Sequence, residues 1–219
     1  SGGLLQHNKT PKRPNNSKAA IIAQILAETV PVGGTIAERY LNNRGIRLIP
    51  PQLRFHAELY YETGIMLPGI VAQLVDARTL KTIDSIHRTF LSPDGSRKAD
   101  VASPKKLLGS SQGAGILLGQ INEGYPVLVG EGIETVLTGV QACGYFGLAA
   151  LSATNLAGLQ IPEDFLDVRI LVDHDINGVG QKAAQALADR LQMQGRKVSL
   201  VIPPIGQDLN DLLCKGAGK

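Results

Sequence analysis

The 219-residue sequence contains no tryptophan, and aromatic residues make up only 4% of it. Proteins that bind single-stranded nucleic acids commonly stack the bases on aromatic side chains, so we expect no obvious stacking surface here. Tyr60 and Tyr61 are adjacent, so one of the two could be exposed, but we expect core packing. Any binding of nucleic acid would then depend mainly on contacts with the phosphates and would weaken as the salt concentration rises.

Cysteine is also scarce. The two cysteines, Cys143 and Cys214, exclude a disulfide framework and a CxxC-type zinc site. Long apolar runs and a signal-peptide pattern are missing as well, so we expect a cytoplasmic protein without a membrane partner. The net charge of +3 is too balanced to identify a nucleic-acid binder by charge alone. Residues 1–16 have the composition of a tag and linker, which suggests a piece of a longer protein.

Two sequence patterns divide the chain near residue 120. Residues 17–120 combine two helical patterns with strand-like runs and turns, which predicts an α+β subdomain with a largely antiparallel sheet. Residues 121–214 alternate apolar runs with helical patterns, which predicts βαβ units and a Rossmann-like parallel sheet, followed by a short tail at 215–219. Lys105 and Lys106 precede the glycine-containing segment LLGSSQGAG, which predicts a phosphate-contacting loop. This loop lacks the GK[ST] ending of a P-loop, so an ATPase of that kind is excluded.

Carboxylates follow two of the apolar runs in the second half. Glu131 comes after the first run, and Asp173 and Asp175 come after the third. Ligands gather at the carboxyl ends of parallel strands, so these three side chains would converge if the two strands are neighbours. The late segment GQDLND could bring Asp208 and Asp211 to the same edge.

Two interpretations of the acidic residues stay open. Crowded carboxylates need a cation to remain ionised, and all-oxygen ligands select Mg²⁺ or Mn²⁺, which favours phosphoryl or nucleotidyl transfer. Alternatively, the aspartates only cap the helix that follows them. The spacing of 42 residues between Glu131 and Asp173 matches two βα units and favours the metal site.

These motifs resemble the Toprim domain that is shared by bacterial-type primases, topoisomerases and some nucleases. The resemblance rests on EGIETVLTG at 131–139, LSATNLAGL at 151–159, DHDINGVGQKAA at 173–184 and GQDLND at 206–211. The first half is similar to the segments that precede Toprim modules in primase-like proteins of phages, plasmids and mobile elements. The matching segments there are RYLNNRGI, LRFH, IHRTFLSPDGSRKA and KKLLGSSQGAGILL.

The resemblance implies a primase-type core that synthesises primers on single-stranded DNA from nucleoside triphosphates. It implies that Glu131 is the general acid/base or a metal-linked carboxylate, that Asp173 and Asp175 bind Mg²⁺ and that Asp208 contributes to the site. Replicative primases carry an Asp four residues after the Glu, whereas this chain has Thr135 there and Glu134 one place earlier. The roles of Glu134 and Asp211 therefore stay open.

Triphosphate and template also require cations, and the first half supplies them. The candidates are Arg44, Arg54, His56, His87, Arg88, Lys98, Lys105 and Lys106, with Arg88 and Lys106 favoured. Facing an acidic second half, they would form a cleft with metals on one wall and phosphate-binding groups on the other. The resemblance also implies a parent chain with a helicase or relaxase module. A metal-dependent nuclease and a non-catalytic nucleic-acid-binding module are the alternatives.

Overall fold

The computed structural model describes residues 17–172 and 178–202 of the chain. Helices and strands are numbered separately in chain order. The elements of the first half are α1 (Lys18–Glu28), β1 (Val30–Pro31), α2 (Ile36–Asn43), β2 (Leu53–Glu62), β3 (Ile65–Asp76), β4 (Thr82–Phe90), β5 (Lys105–Leu108) and β6 (Ala114–Leu118). The elements of the second half are β7 (Val127–Gly130), α3 (Ile133–Cys143), β8 (Phe146–Ala149), α4 (Ala153–Gly158), β9 (Asp167–Leu171), α5 (Val179–Met193) and β10 (Lys197–Val201).

The first half is built on an antiparallel sheet, as the sequence predicts. Strands β2, β3 and β4 are antiparallel neighbours, and β5 pairs with the free edge of β4. The predicted loop is wrong for Lys105 and Lys106, because residues 105–108 are held in a strand by pairing with residues 86–89 of β4. Helix α1 covers one face of this sheet, where Ile22 shares a buried cluster with Phe90.

The second half contains the predicted parallel sheet. Strands β8, β7, β9 and β10 are parallel neighbours in that order. Successive apolar side chains of β7 point to opposite faces of the sheet. Leu128 packs in one buried cluster with Val136 of α3, and Val129 packs in the other with Leu187 of α5. Helices on both faces of a parallel sheet define an α/β architecture, which confirms the predicted fold class.

Strand β6 joins the two halves into one continuous sheet. It is antiparallel both to the end of β3 and to β8. The strand order is β1-β2-β3-β6-β8-β7-β9-β10, with β4 and β5 branching from β3. In the described ranges, every helix is too short or too polar to cross a membrane.

Candidate active site

Strand β7 places Glu131 at the edge where the parallel strands end. The register of β7 and β9 sets Gly130 opposite Leu171. Just after β8, the backbone N–H of Ala150 donates to the carbonyl of Gly130 at 2.8 Å, and that of Leu151 donates to the carbonyl of Glu131 at 2.8 Å. The carboxyl ends of three strands therefore meet at Glu131, the edge at which parallel sheets bind ligands.

A cleft of about 110 Å³ separates Glu131 from the first half of the chain. The second half contributes Glu131, the start of α3 and Leu151 to its lining. The first half contributes polar side chains from β4 and β5, namely His87, Thr89 and Lys105. The fold thus brings two of the acidic candidates, Glu131 and Glu134, and two of the basic candidates, His87 and Lys105, to the same cleft.

Glu134, in the first turn of α3, binds three side chains of the first half. Its Oε1 accepts hydrogen bonds from the Tyr40 hydroxyl at 2.7 Å and from Lys98 Nζ at 2.7 Å. Its Oε2 accepts one from Arg44 Nε at 2.8 Å. Burial raises the pKa of this carboxyl, but the charge and hydrogen bond of Lys98 and the hydrogen bonds of Tyr40 and Arg44 outweigh burial and hold the pKa at about 2. Glu134 is therefore ionised at neutral pH and ties α3 to the first half.

His87 and Lys105 give the opposite wall of the cleft two kinds of hydrogen-bond donor. Burial, followed by the positive charges of Lys105, Arg88 and Lys98, lowers the pKa of His87 to about 4. The imidazole is therefore neutral at pH 7, and its Nδ1 lies 3.5 Å from Thr89 Oγ1. Lys105 is exposed. A neutral imidazole beside an exposed ammonium group suits an oxygen-rich anion, because both can donate to phosphate oxygens.

Arg88 and Lys106 lie on the other face of the same sheet. They are cross-strand partners, and each donates to a carbonyl of β2: Arg88 Nη1 to Tyr60 at 3.1 Å and Lys106 Nζ to Tyr61 at 3.1 Å. The Arg88 guanidinium lies 5.6 Å from the centroid of the Phe90 ring, and Lys106 Nζ lies 3.5 Å from that of Tyr61. Successive residues of a strand point to opposite faces, so neither side chain belongs to the described lining of the cleft. Their contact with nucleotide or nucleic acid stays a prediction.

Two further basic candidates lie at the end of α1. Arg54 donates from Nε to Thr29 Oγ1 at 3.1 Å and from Nη2 to the Thr29 carbonyl at 2.9 Å. His56 Nε2 lies 3.0 Å from Glu28 Oε2. These contacts hold the C-terminal end of α1 on β2, and a binding role for Arg54 also stays a prediction.

One described residue at the carboxyl edge has the type of side chain that a hard divalent cation prefers. Glu131 offers carboxylate oxygens, and β9, which leads through Val172 towards Asp173 in the sequence, ends beside it. Within residues 17–172 and 178–202, no three His, Cys, Asp or Glu side chains come close enough together to hold a metal ion. The remaining acidic candidates, Asp173, Asp175, Asp208 and Asp211, lie outside the described residues.

Sequence reasoning missed two residues that line the cleft, Tyr40 and Leu151, and one that supports the neighbouring strand ends, Asn155. Tyr40 reaches Glu134 from α2, and Leu151 lines the cleft with a left-handed φ of 71°, a strained conformation that concentrates at functional sites. Asn155 accepts from the Gly113 N–H at 3.0 Å and donates to the carbonyls of Ala114 and Ala150, both at 2.7 Å, which locks β6 to the end of β8. The Ser-x-x-Asn spacing of LSATN after an apolar run was the available signal for this turn.

Two family models match the chain. Residues 16–118 match a domain of unknown function, DUF7146. Residues 126–218 match the Toprim domain. A comparison with curated protein sequences gives no match.

Several solved primase structures share the fold. The zinc-binding and RNA polymerase domains of the Aquifex aeolicus primase align with a TM-score of 0.59 at 15% identity, over 90% of this chain and 57% of that one. A DNA primase domain from Pseudomonas aeruginosa gives 0.56 at 14% identity, over 91% and 75%. The primase fragment of the bacteriophage T7 primase-helicase gives 0.52 at 18% identity, over 96% and 80%. The chain spans little more than half of the solved Aquifex chain, and at these identities the likeness establishes the fold alone.

Proposed function

Since residues 126–218 belong to the Toprim family and the chain has the fold of a primase core, we propose that it catalyses metal-dependent nucleotidyl transfer of the primase type. The reaction would be primer synthesis on single-stranded DNA. The observation that carries the proposal is the cleft in which Glu131 faces His87 and Lys105. A nuclease would need the carboxylates but no binding site for a triphosphate, and the donors of His87 and Lys105 opposite the acidic edge favour such a site.

In this proposal the chain's own groups position the reactants and move one proton. The 3′-hydroxyl of the primer forms a bond to the α-phosphorus of the incoming nucleotide as the bond to pyrophosphate breaks, and Glu131 accepts the hydroxyl proton. Lys105 and the neutral His87 donate to oxygens of the triphosphate. Mg²⁺ or Mn²⁺, held by Glu131 with Asp173, Asp175 and Asp208, would stabilise the charge that develops on the phosphate oxygens.

The finer assignments belong to the same proposal. We place the chain in the cytoplasm, as one module of a replication or conjugation protein of a mobile element. A helicase or relaxase module on the parent chain would be its partner. The T7 relative, whose name joins primase and helicase, is consistent with such an arrangement.

Primer synthesis on single-stranded DNA tests the proposal directly. The chain would be incubated with labelled nucleoside triphosphates and Mg²⁺ or Mn²⁺, beside Glu131→Gln and Asp173→Asn. Glu163→Gln, an exposed carboxylate outside the described cleft lining, is the matched control. We expect extension by wild type and control and a loss of about 100-fold or more in the other two variants, because general acid–base groups typically contribute 10²–10⁴-fold.

Two other outcomes would contradict the proposal. Labelled DNA that becomes shorter without added nucleotides would assign the cleft to a nuclease. DNA binding without extension or cleavage, unchanged in Glu131→Gln, would assign the chain to a non-catalytic binding module.

A further inference from the structure

The tip of the hairpin formed by β2 and β3 exposes an aromatic ring. Tyr60 is 55% exposed, and Met66, its direct cross-strand partner, is 51% exposed. The neighbouring Tyr61 is 6% exposed and packs edge-on against Phe90, with ring centroids 5.1 Å apart. Core packing, the expected fate, is therefore correct for Tyr61, and Tyr60 is the exposed member of the pair, because successive residues point to opposite faces of the sheet.

Tyr60 and Met66 lie on the face of the sheet that leads to the cleft. Leu59 and Leu67, the preceding cross-strand pair, belong to the opposite face, where α1 packs. Ile70, four residues after Met66 on β3, lines the cleft. At about 3.3 Å per residue, Tyr60 and Met66 stand about 13 Å from the cleft along one strand. A stacked strand rises about 3.4 Å per nucleotide, so roughly four nucleotides would cover this distance.

The surface between this pair and the cleft suits a nucleic-acid strand. The residues of β3 on this face, Met66, Pro68 and Ile70, carry no charge. The backbone N–H of Leu91 donates to the Pro68 carbonyl at 2.8 Å, so the chain leaves β4 beside Pro68. A strand that runs from the tip to the cleft therefore crosses an uncharged part of β3 before it reaches Lys105.

The backbone of Tyr60 is held in place from behind. Arg88 and Lys106 donate to the carbonyls of Tyr60 and Tyr61, as described above. A ring on a fixed strand loses little conformational entropy when a ligand binds to it. The exposed carboxylates of Glu58 and Glu62 flank Tyr60 in the sequence and would repel phosphates, so a base is the part of a nucleotide that can approach the ring.

We infer that Tyr60 and Met66 form a stacking platform for an unpaired base of the DNA template, upstream of the cleft. This inference rests on the proposed function, because it takes the strand on this face to be a template. A duplex presents no free base faces, so the platform would bind single strands only. It gives a role to an aromatic side chain that lies outside the catalytic cleft.

Binding of a short fluorescein-labelled oligothymidine tests the inference without requiring turnover. Fluorescence anisotropy would be measured at low salt, without metal, for the whole chain and for Tyr60→Ala, Tyr60→Phe and Tyr125→Ala. Tyr125 is a matched control: it is 58% exposed, and it precedes β7, at the opposite end of that strand from Glu131. We expect Tyr60→Ala to bind about fivefold more weakly or worse, on the basis of alanine substitutions at base-stacking aromatic residues. The other two variants should bind like wild type.

An abasic oligonucleotide of the same length separates stacking from a change in structure. Wild type should bind the abasic strand more weakly than oligothymidine, whereas Tyr60→Ala should bind both alike. A duplex of equal length should not distinguish the two proteins. Equal losses on oligothymidine and abasic DNA, unchanged binding in Tyr60→Ala, or no binding of single strands by wild type would each overturn the platform. If these tests support the platform but the chain synthesises no primers, only the proposed function is refuted.

Discussion

The two halves of the sheet present their polar groups in different ways. Strands β7 and β8 are buried along their whole length and contain no charged residue, so the chemistry of the second half is confined to strand ends such as Glu131. Strand β4 instead carries His87 and Arg88 in its buried middle, and each points to a different face. A functional residue of the parallel half is defined by the end of the strand on which it lies. A functional residue of the antiparallel half is defined by the face of the sheet to which its side chain points.

The largest effect that this comparison predicts concerns the buried imidazole of the first half. The pKa of His87 is lowered from its ordinary 6.5 to about 4. Between these pH values the unfolded chain binds a proton that the folded chain does not, so stability is complete above pH 6.5 and falls as the pH drops towards 4. The loss should reach about 3 kcal/mol, and His87→Gln should lack it. Denaturant unfolding of both proteins at neutral and acid pH measures the difference. An NMR titration that places His87 near pH 6.5 would contradict the burial argument.

The next effect concerns the contact between the two halves. Glu134→Gln leaves Lys98 and Arg44 without their shared anion, and these partners are only 29% and 37% exposed. We expect a loss of about 2 kcal/mol in the free energy of unfolding, below the range for fully buried pairs because solvent reaches both cations. Because the pKa of Glu134 is about 2 rather than 4.5, its contribution is present above pH 4.5 and lost as the pH falls towards 2, and the variant should lack this dependence.

Exposed Glu123→Gln is the control for this experiment. A double-mutant cycle with Lys98→Met should show coupling, because both side chains belong to the same ion pair. The Mg²⁺ dependence of activity separates this structural role from the metal-ligand role that the sequence left open. A variant that needs much more Mg²⁺ than wild type, at unchanged stability, would make Glu134 a metal ligand.

A smaller effect tests the two-sided packing of the second half. A Cβ at Gly147 would lie 2.5 Å from Val136 Cγ1 and 3.0 Å from the Leu128 carbonyl. Gly147→Ala would push α3 off β8, so we expect a loss of about 1–2 kcal/mol in thermal or denaturant unfolding. Gly158→Ala is the matched control, because a Cβ there meets no atom within 4 Å and Ala favours the helix. Equal stability of the two variants would show that α3 can move away from the sheet at little cost.

The same contrast explains how much the sequence could predict. The position of Glu131 follows from an apolar run and its end, a local pattern that needs no knowledge of neighbouring strands. To predict which of His87 and Arg88, or of Tyr60 and Tyr61, points towards the cleft, one must know the face of the sheet on which each side chain lies. That face is decided by the register of a long-range strand pairing. The glycine-containing segment that follows Lys105 and Lys106 predicts a loop there. Their strand forms only by pairing with β4.

The smallest predicted effect separates Lys105 from Lys106, which the sequence alone could not do. Lys105 is exposed at the cleft, so Lys105→Gln should weaken single-strand binding by less than about 1 kcal/mol and reduce the salt slope by about one. Lys106→Gln should leave that slope unchanged and lower stability by about 1 kcal/mol, because it loses the bond to the Tyr61 carbonyl and the contact with its ring. Salt titrations of oligonucleotide binding and denaturant unfolding measure both. A reduced salt slope in Lys106→Gln, with an unchanged slope in Lys105→Gln, would place the nucleic acid on the face that carries Arg88. The antiparallel half would then bind its ligand away from the cleft.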